Sequence, residues 1–465
     1  MLRRKIHRPL LRTHPEHGPP AIHSRCTGRK PAAPLSPGTR RQLRGDPAIL
    51  KAIAPVSALL LSICFLIAGN GLQGSLLPLR AALDQQSALE IGILGSSYFL
   101  GFGAGCFSAA QLIGRVGHIR VFTAAVALAS ALALMHALVT LPAVWWVLRA
   151  MTGFSFAVLY IVIESWLADK SDETTRGTVF SVYTIVNLTV LTAGQAMLML
   201  GDPQDFPLFL VASILVSLAA IPVAMSRAQA PDPPETFQLR LRHLISLSPA
   251  GMGGAFCVGL SNGTFWSLGP LFASETIASI APTQAVALFM SAVVLGGAAG
   301  QWPLGSLSDH QDRRRIIALA SLAAVLPGLV LFAAADTLDI WLVLIAAAFG
   351  FFAFPLYALS VAHTNDVIDR ADFVEAASGL LLLYGAGAVM GPIFASALAS
   401  FLGTPAIFIA TAAIHGGLAV FILLRITQKR VAVEADQPSF AQSLISANTT
   451  SQIPPGAEQL EDATP

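Results

Sequence analysis

Apolar residues in this chain gather in long runs separated by short polar segments. Twelve such runs recur between Pro55 and Ile426, centred near Ala68, Gly101, Ser130, Ala157, Leu188, Val216, Leu260, Val294, Leu326, Phe349, Val389 and Ala413. A hydrocarbon layer of about 30 Å takes about 20 helical residues to cross, and a spacing of roughly 31 residues per run holds one such helix and a short loop. No run leaves room for a soluble domain. Inside lipid the backbone must satisfy its own hydrogen bonds, so runs of this length predict helices.

The loops between the runs are sorted by charge. With the N-terminus placed in the cytoplasm, one side holds Lys51, Arg115, Arg120, Lys170, Arg176, Arg227, Arg240, Arg242, Arg313, Arg314, Arg315, Arg370, Arg425, Lys429 and Arg430. The other side holds Arg80 alone. Lys and Arg accumulate on the cytoplasmic face, so this asymmetry predicts an even number of spans with both termini inside. Arg149 is left within a span.

The longest internal polar stretch, 226–248, divides the spans six and six. The two halves resemble each other in order along the chain. Asn70-Gly71 followed by Pro78-Leu79 recurs as Asn262-Gly263 followed by Pro270-Leu271. Leu100-Gly101-Phe102-Gly103-Ala104-Gly105 recurs as Leu295-Gly296-Gly297-Ala298-Ala299-Gly300, and Gly194-Gln195 answers Gly391-Pro392. The expected fold is an all-α integral membrane protein of twelve transmembrane helices in two pseudo-symmetric six-helix bundles, residues 51–225 and 249–427. Gly101, Gly105, Gly296 and Gly300 form small-x-x-x-small patterns that permit close helix crossings. Gly391-Pro392 is placed to bend span eleven.

Composition sharpens this picture. Of 465 residues, 54% are hydrophobic and 12% charged, which excludes a soluble globular enzyme. The net charge of +2 hides a division. Residues 1–50 hold eleven Lys/Arg against two acidic residues, with eight prolines and four histidines. That segment is expected to be a disordered basic tail or the product of a start placed too far upstream, and residues 428–465 a disordered cytoplasmic tail. Cys26, Cys64, Cys106 and Cys257 show no paired spacing, so neither a disulfide framework nor a metal site is expected. No lysine follows a glycine in a G-K-[ST] phosphate loop and no H-E-x-x-H occurs, which argues against ATP coupling and zinc hydrolysis. No enzyme activity, cofactor or nucleic-acid partner is predicted.

The loop Gly305-Ser306-Leu307-Ser308-Asp309-His310-Gln311-Asp312-Arg313-Arg314 resembles the loop motif G-x-L-a-D-r-x-G-R-R of the major facilitator superfamily, with Asp312 where the second glycine is usual. Its first-half counterpart, Ala110 to His118, lacks the acidic residue and the first glycine. The strings Gly300-Gln301-Trp302-Pro303-Leu304-Gly305, Ile163-Glu164-Ser165 and Ser96-Ser97-Tyr98-Phe99 are similar to those of the uncharacterised YcaD-type bacterial branch. The resemblance implies two parallel six-helix repeats that rock around a central site. It also implies that Asp309, with Arg313 and Arg314, helps one gate state persist. The alternative for the arginines is a topology anchor holding the loop in the cytoplasm.

Arg149 and Glu164 are the exceptional residues of span four, because a charged side chain at a helix centre costs about 2.5–3.5 kcal/mol on insertion scales and normally faces a partner or a watered cavity. Arg149, Gly153, Phe156, Tyr160 and Glu164 fall on one helical stripe, expected to face the bundle interior. Arg149 to Gly153 resembles the family's span-four R-x-x-x-G motif, whose arginine is associated with proton coupling in some members. Glu164 is the candidate proton carrier, or else the partner of a loop arginine. Candidates for the solute path are Asn70, Gln73, Tyr160, Asn187, Gln195, Asn262, Trp266 and Tyr384, although isolated amides also glue helices together and the aromatics also serve as packing. His136 and His415 are placed in spans three and twelve without a role in proton transfer.

The function expected is secondary transport of a small organic solute by alternating access, coupled to protons, with efflux set ahead of uptake. The chain is expected to act as a monomer in the bacterial inner membrane. The alternative is a transporter-derived receptor or scaffold without turnover, which has no use for interior charges.

Overall fold

A computed structural model describes residues 53, 56–171, 175–225, 241–368, 373–428 and 440–441. The expected N-terminal tail, most of the linker and most of the expected C-terminal tail lie outside the described residues; within the latter, Phe440 is buried against the bundle rather than disordered. Helices make up nearly all of what is described, with no strand among the described residues. Eleven are long and apolar enough to cross a membrane: Ser57–Leu83, Ala88–Val116, His118–Leu138, Pro142–Asp169, Arg176–Leu200, Pro207–Met225, Pro282–His310, Arg313–Ala333, Asp339–Asn365, Glu375–Leu402 and Ala406–Thr427. The twelfth, span seven in chain order, is Pro249–Thr276, which meets the short helix Leu241–Leu247 at 111°. The twelve are numbered below as spans one to twelve.

Span seven carries its polar residues inward because it is heavily enclosed. It packs against spans one, two, eight, ten, eleven and twelve, and Ser261, Asn262, Thr264 and Ser267 are buried within it. Elsewhere the surface is apolar in the manner of a lipid-facing bundle, with Trp302 80% and Phe401 86% exposed. Patches of this kind on a water-soluble monomer mark interaction sites or aggregation liabilities; against acyl chains they are the matched surface.

Local chemistry sets where helices start and turn. Span two opens with a capping box, in which the Ser87 hydroxyl accepts from the Glu90 amide and the Glu90 carboxylate accepts from the Ser87 amide. Proline begins spans four, six, seven and eight at Pro142, Pro207, Pro249 and Pro282, where its missing N–H is not needed. Gly117 joins spans two and three with a φ of +85°, a conformation glycine adopts without steric cost. At the same place in the second half, 195 residues on, stands Asp312. Its carboxylate accepts the Arg314 amide at 3.0 Å and caps span nine, so the turn is made there by a side-chain cap. Span eleven runs through Gly391-Pro392 as one helix without a break.

The repeat read in the sequence is a repeat of close approaches. A methyl group at Gly101 would overlap the carbonyl oxygen of Ala150, and one at Gly153 that of Tyr98, so spans two and four touch backbone to backbone. In the second half Gly296 stands against the Ala347 carbonyl and Gly350 against that of Val293, joining spans eight and ten in the same way. Gly194 on the carbonyl of Ala68 and Gly391 on that of Leu260 do likewise for spans one and five and spans seven and eleven.

The cores reveal how the halves meet. One cluster crosses between them, with Leu76, Leu79, Ile91 and Leu94 from the first half packed with Phe272, Phe289, Ala399 and Phe408 from the second. At the other end, which bears the arginine-rich loops, the cores separate. One is built wholly from the first half around Phe122, Phe156 and Tyr183, and two wholly from residues beyond 240. The halves are therefore joined at the end opposite the basic loops.

Gly296→Ala and Gly101→Ala should each destabilise the protein by about 1–3 kcal/mol through overpacking. Gly103→Ala, with open space around its added carbon, should be neutral or stabilising by up to about 1 kcal/mol from helix propensity. Thermal midpoints of the detergent-solubilised protein distinguish these outcomes.

Candidate functional site

A cavity of about 210 Å³ lies beneath the joined end, lined by residues of spans one, two, four and five, with Trp266 and Ser267 from span seven. The first half supplies most of its wall, including Asn70, Tyr98, Arg149, Tyr160, Asn187 and Gln195. The Gly153 contact on Tyr98 brings spans two and four together here, and the Arg149 guanidinium lies 4.4 Å from the centroid of the Tyr98 ring. A cation over an aromatic face gains about 0.5–2 kcal/mol, more where water is excluded. The Tyr98 hydroxyl is in turn approached by the Asn70 side-chain amide at 3.4 Å.

Several polar atoms of the lining residues have no partner among the described residues. Arg149 is 8% exposed, and among the described residues no hydrogen bond or ion pair engages its guanidinium; Nη1 is buried and unpartnered. Gln195 Oε1 and Ser267 Oγ are buried and unpartnered as well. Buried polar groups are normally hydrogen-bonded; unpartnered atoms also occur away from the cavity, at Ser62, Ser261, Ser321 and His415, and what sets this wall apart is the charge of Arg149.

Of the other candidate residues, Asn187 reaches the cavity while donating to the Tyr183 carbonyl at 3.1 Å. Trp266 lies against Phe354 and Phe265 at ring distances of 5.8 and 5.3 Å and faces the cavity rather than lipid. Gln73 is buried with Nε2 unpartnered but lies off the cavity lining. Asn262 and Tyr384 also lie off it; the Asn262 amide approaches the Tyr384 hydroxyl at 3.5 Å, and Tyr384 packs on Tyr357 at 4.8 Å. The span-four stripe does face inward. Its far member, Glu164, is about 22 Å from Arg149 by helix rise. Glu164 is buried, and the Tyr183 hydroxyl donates to its Oε1 at 2.7 Å. His136 is a packed residue, hydrogen-bonded to the Leu132 carbonyl and set against Trp145.

The residues proposed for the gate are divided between two ion-paired groups. Arg313 is buried and bridges two carboxylates, Asp309 at 3.0 Å and Asp366 at 2.7 Å, with Ser308 at 3.0 Å. Arg314 instead pairs with Asp312 at 2.7 Å, because the cap at Asp312 points its carboxylate at the first turn of span nine. Asp309 also accepts the Phe440 amide at 2.7 Å, and the Phe440 ring covers Gly305. Asp366, Tyr183, Tyr98 and Phe440 were not picked out in the sequence as members of these groups. Asp366 lies 53 positions from its partner, and only its place in a loop of the same side as Asp309 gave a signal.

Burial pushes the Asp366 carboxyl up from its ordinary 3.8 to about 6, with the Arg313 guanidinium opposing that rise.

Comparisons with known proteins agree with this architecture. The sequence model of the Major Facilitator Superfamily matches residues 59–248 and 251–454. An uncharacterized MFS-type transporter of Enterobacter sp. (strain 638) is 26% identical over 366 residues, covering 77% of this chain and 93% of its own length. The uncharacterized MFS-type transporter YcaD of Escherichia coli is 24% identical over 363 residues with the same coverage. Among solved structures, the nucleoside transporter NupG superposes with a TM-score of 0.66 at 13% identity, over 80% of this chain and 99% of its own. The fucose:proton symporter FucP of E. coli does so with a TM-score of 0.51 at 15% identity, over 82% and 100%.

Arg313→Ala should cost about 3–5 kcal/mol, the penalty of stranding a buried partner. Arg314→Ala removes a buried guanidinium whose partner Asp312 is partly exposed and should cost less, about 1–3 kcal/mol. Thermal midpoints in detergent read both. The raised Asp366 carboxyl binds its proton more tightly in the folded protein than when exposed, so its charge costs stability above pH 6 and the cost is relieved as the pH falls through that value. The wild type should therefore gain stability relative to Asp366→Asn between pH 7 and pH 5, measured by the same midpoints.

Proposed function

From the premise that the chain belongs to the major facilitator superfamily, we propose that it is a proton-coupled secondary transporter of a small organic solute, acting as a monomer in the bacterial inner membrane with both termini in the cytoplasm. The observation that carries this reading is the cavity bounded by both halves and lined by Asn70, Tyr98, Arg149, Asn187 and Gln195, beneath a shared core at one end and between separate cores at the other. Such a body has one hinge-like seam and two independent bundles. Rocking the bundles about a central solute exchanges which end is sealed, which is alternating access. The sorting of arginines to the split end supports an opening toward the cytoplasm.

Glu164 is the proton carrier in this proposal. Its carboxylate is buried and accepts the Tyr183 hydroxyl at 2.7 Å, and an intramembrane acid is a functional group by default. Tyr160, one turn along span four, lies between it and the cavity. The fucose:proton coupling of FucP, which shares the fold, supports the same energy source here. Arg149 enters the coupling through the charge it presents to the cavity. The Arg313 bridge to Asp309 and Asp366 holds spans eight, nine and ten together at the split end, where a contribution to gating would be made. The scaffold alternative leaves the cavity and its orphan atoms without a use.

Purified protein in liposomes should move solutes from a metabolite panel when a pH gradient is imposed. Glu164→Gln should lose accumulation against a gradient, by at least tenfold, while keeping solute exchange at equal pH. Flux in both gradient directions decides between efflux, the direction favoured on sequence grounds, and uptake. Absence of both accumulation and exchange for every solute would overturn the transport reading, and full accumulation by Glu164→Gln would overturn its coupling role.

A further inference from the structure

We infer that the cavity takes a monovalent organic anion, a small carboxylate with a flat or apolar body, held through Arg149. This rests on the transport reading for its biological purpose, but not for its chemistry.

The lining contains one formal charge, the Arg149 guanidinium, and no acidic side chain. That charge is more than nine-tenths buried. Among the described residues it meets the face of Tyr98, which stabilises a cation but accepts none of its N–H groups in line. Charged groups buried in proteins are paired, because desolvation without a partner is costly. The interior carboxylate of the same helix cannot serve, being about 22 Å along the axis by helix rise and engaged by Tyr183. Among the described residues none supplies a counter-charge to Arg149, and the cavity is where one can bind from outside.

The type and number of groups narrow what arrives. A guanidinium offers parallel N–H donors that match the two oxygens of a carboxylate, a geometry an isolated ammonium lacks. One unpaired positive charge balances one negative charge, which disfavours dianions such as hydrogen phosphate. Gln195 and Ser267 also line the cavity; the Gln195 carbonyl oxygen accepts and the Ser267 hydroxyl accepts or donates, which suits a hydroxyl or amide on the solute. Between them the wall is aromatic, formed by Tyr98, Phe99 and Trp266. A volume of about 210 Å³ is below the roughly 300–1,000 Å³ of drug-sized sites, so the body is small.

The test uses the full-length protein in detergent and a set of monocarboxylates of increasing size, benzoate among them, each paired with its uncharged amide. Binding is followed by tryptophan fluorescence, which Trp266 reports from the cavity wall, and by thermal shift. At least one acid should bind tenfold or more tightly than its amide. Arg149→Gln should lose that preference by at least tenfold, and Arg149→Lys should recover part of it; a monodisperse elution profile shows that each variant is folded. Equal binding of every acid and amide, stronger binding of inorganic phosphate than of any carboxylate, or an acid preference unchanged in Arg149→Gln would each overturn the inference. Anion-selective binding without flux in liposomes would leave it standing and remove the transport reading. Flux restricted to uncharged solutes would do the reverse.

Discussion

The contact on which the cavity depends is a glycine pressed against a carbonyl. Helices in lipid gain little from hiding apolar surface, since the solvent is equally apolar, and they associate through van der Waals packing and hydrogen bonding. Gly153 against the Tyr98 carbonyl, with Gly101 against that of Ala150, draws spans two and four together. That closeness lays the Tyr98 ring along Arg149, one turn from Gly153. A larger residue at the crossing would separate the ring from the cation and the Asn70 amide from the ring. The polar chemistry of the wall is thus held by an apolar crossing that itself contains no functional group.

The two halves use the same scaffold unequally. Gly153 and Gly350 are counterparts 197 residues apart in equivalent crossings, and the same offset relates Tyr160 to Tyr357, Arg149 to Ala346 and Glu164 to Val361. Where the first half has charges inside the membrane, the second has buried apolar residues. Where the second half has the Asp309–Arg313–Asp366 bridge at its loop, the first has lost the acidic residue and keeps a glycine turn at Gly117. One half carries the interior charges and the other the ion-paired loop, so the two copies have diverged in where they place charge.

The spans, their grouping and the repeat were legible in the sequence because lipid imposes length, and glycine spacing records helix crossings directly. The inward stripe of span four was legible for the same reason, since helical period fixes a face. Partners were not. Period places Arg149 and Glu164 on one side of a helix but is silent about what lies opposite, so Tyr98 and Tyr183 emerged only from the fold. Gln73 and Asn70 are three residues apart on span one, yet only Asn70 reaches the cavity. Asn262 repeats Asn70 in sequence but finds a tyrosine from span eleven instead of span two, because the second half turns that face away from the cavity. Arg313 and Arg314, adjacent in the chain, point to different acids for the equally local reason that one of those acids caps their helix.

Span seven has a further consequence for how the protein is made. Its serines, threonines, asparagine and glycines suit a helix surrounded by six others, but they are poorly matched to acyl chains. A segment of this composition enters a bilayer weakly by itself. Its lateral release during synthesis is therefore tied to neighbours: spans one and two are already present when it emerges, and spans eight, ten, eleven and twelve follow. Until they arrive, the most central helix of the molecule is also its least settled, and biogenesis of the second half must proceed as an assembly rather than helix by helix.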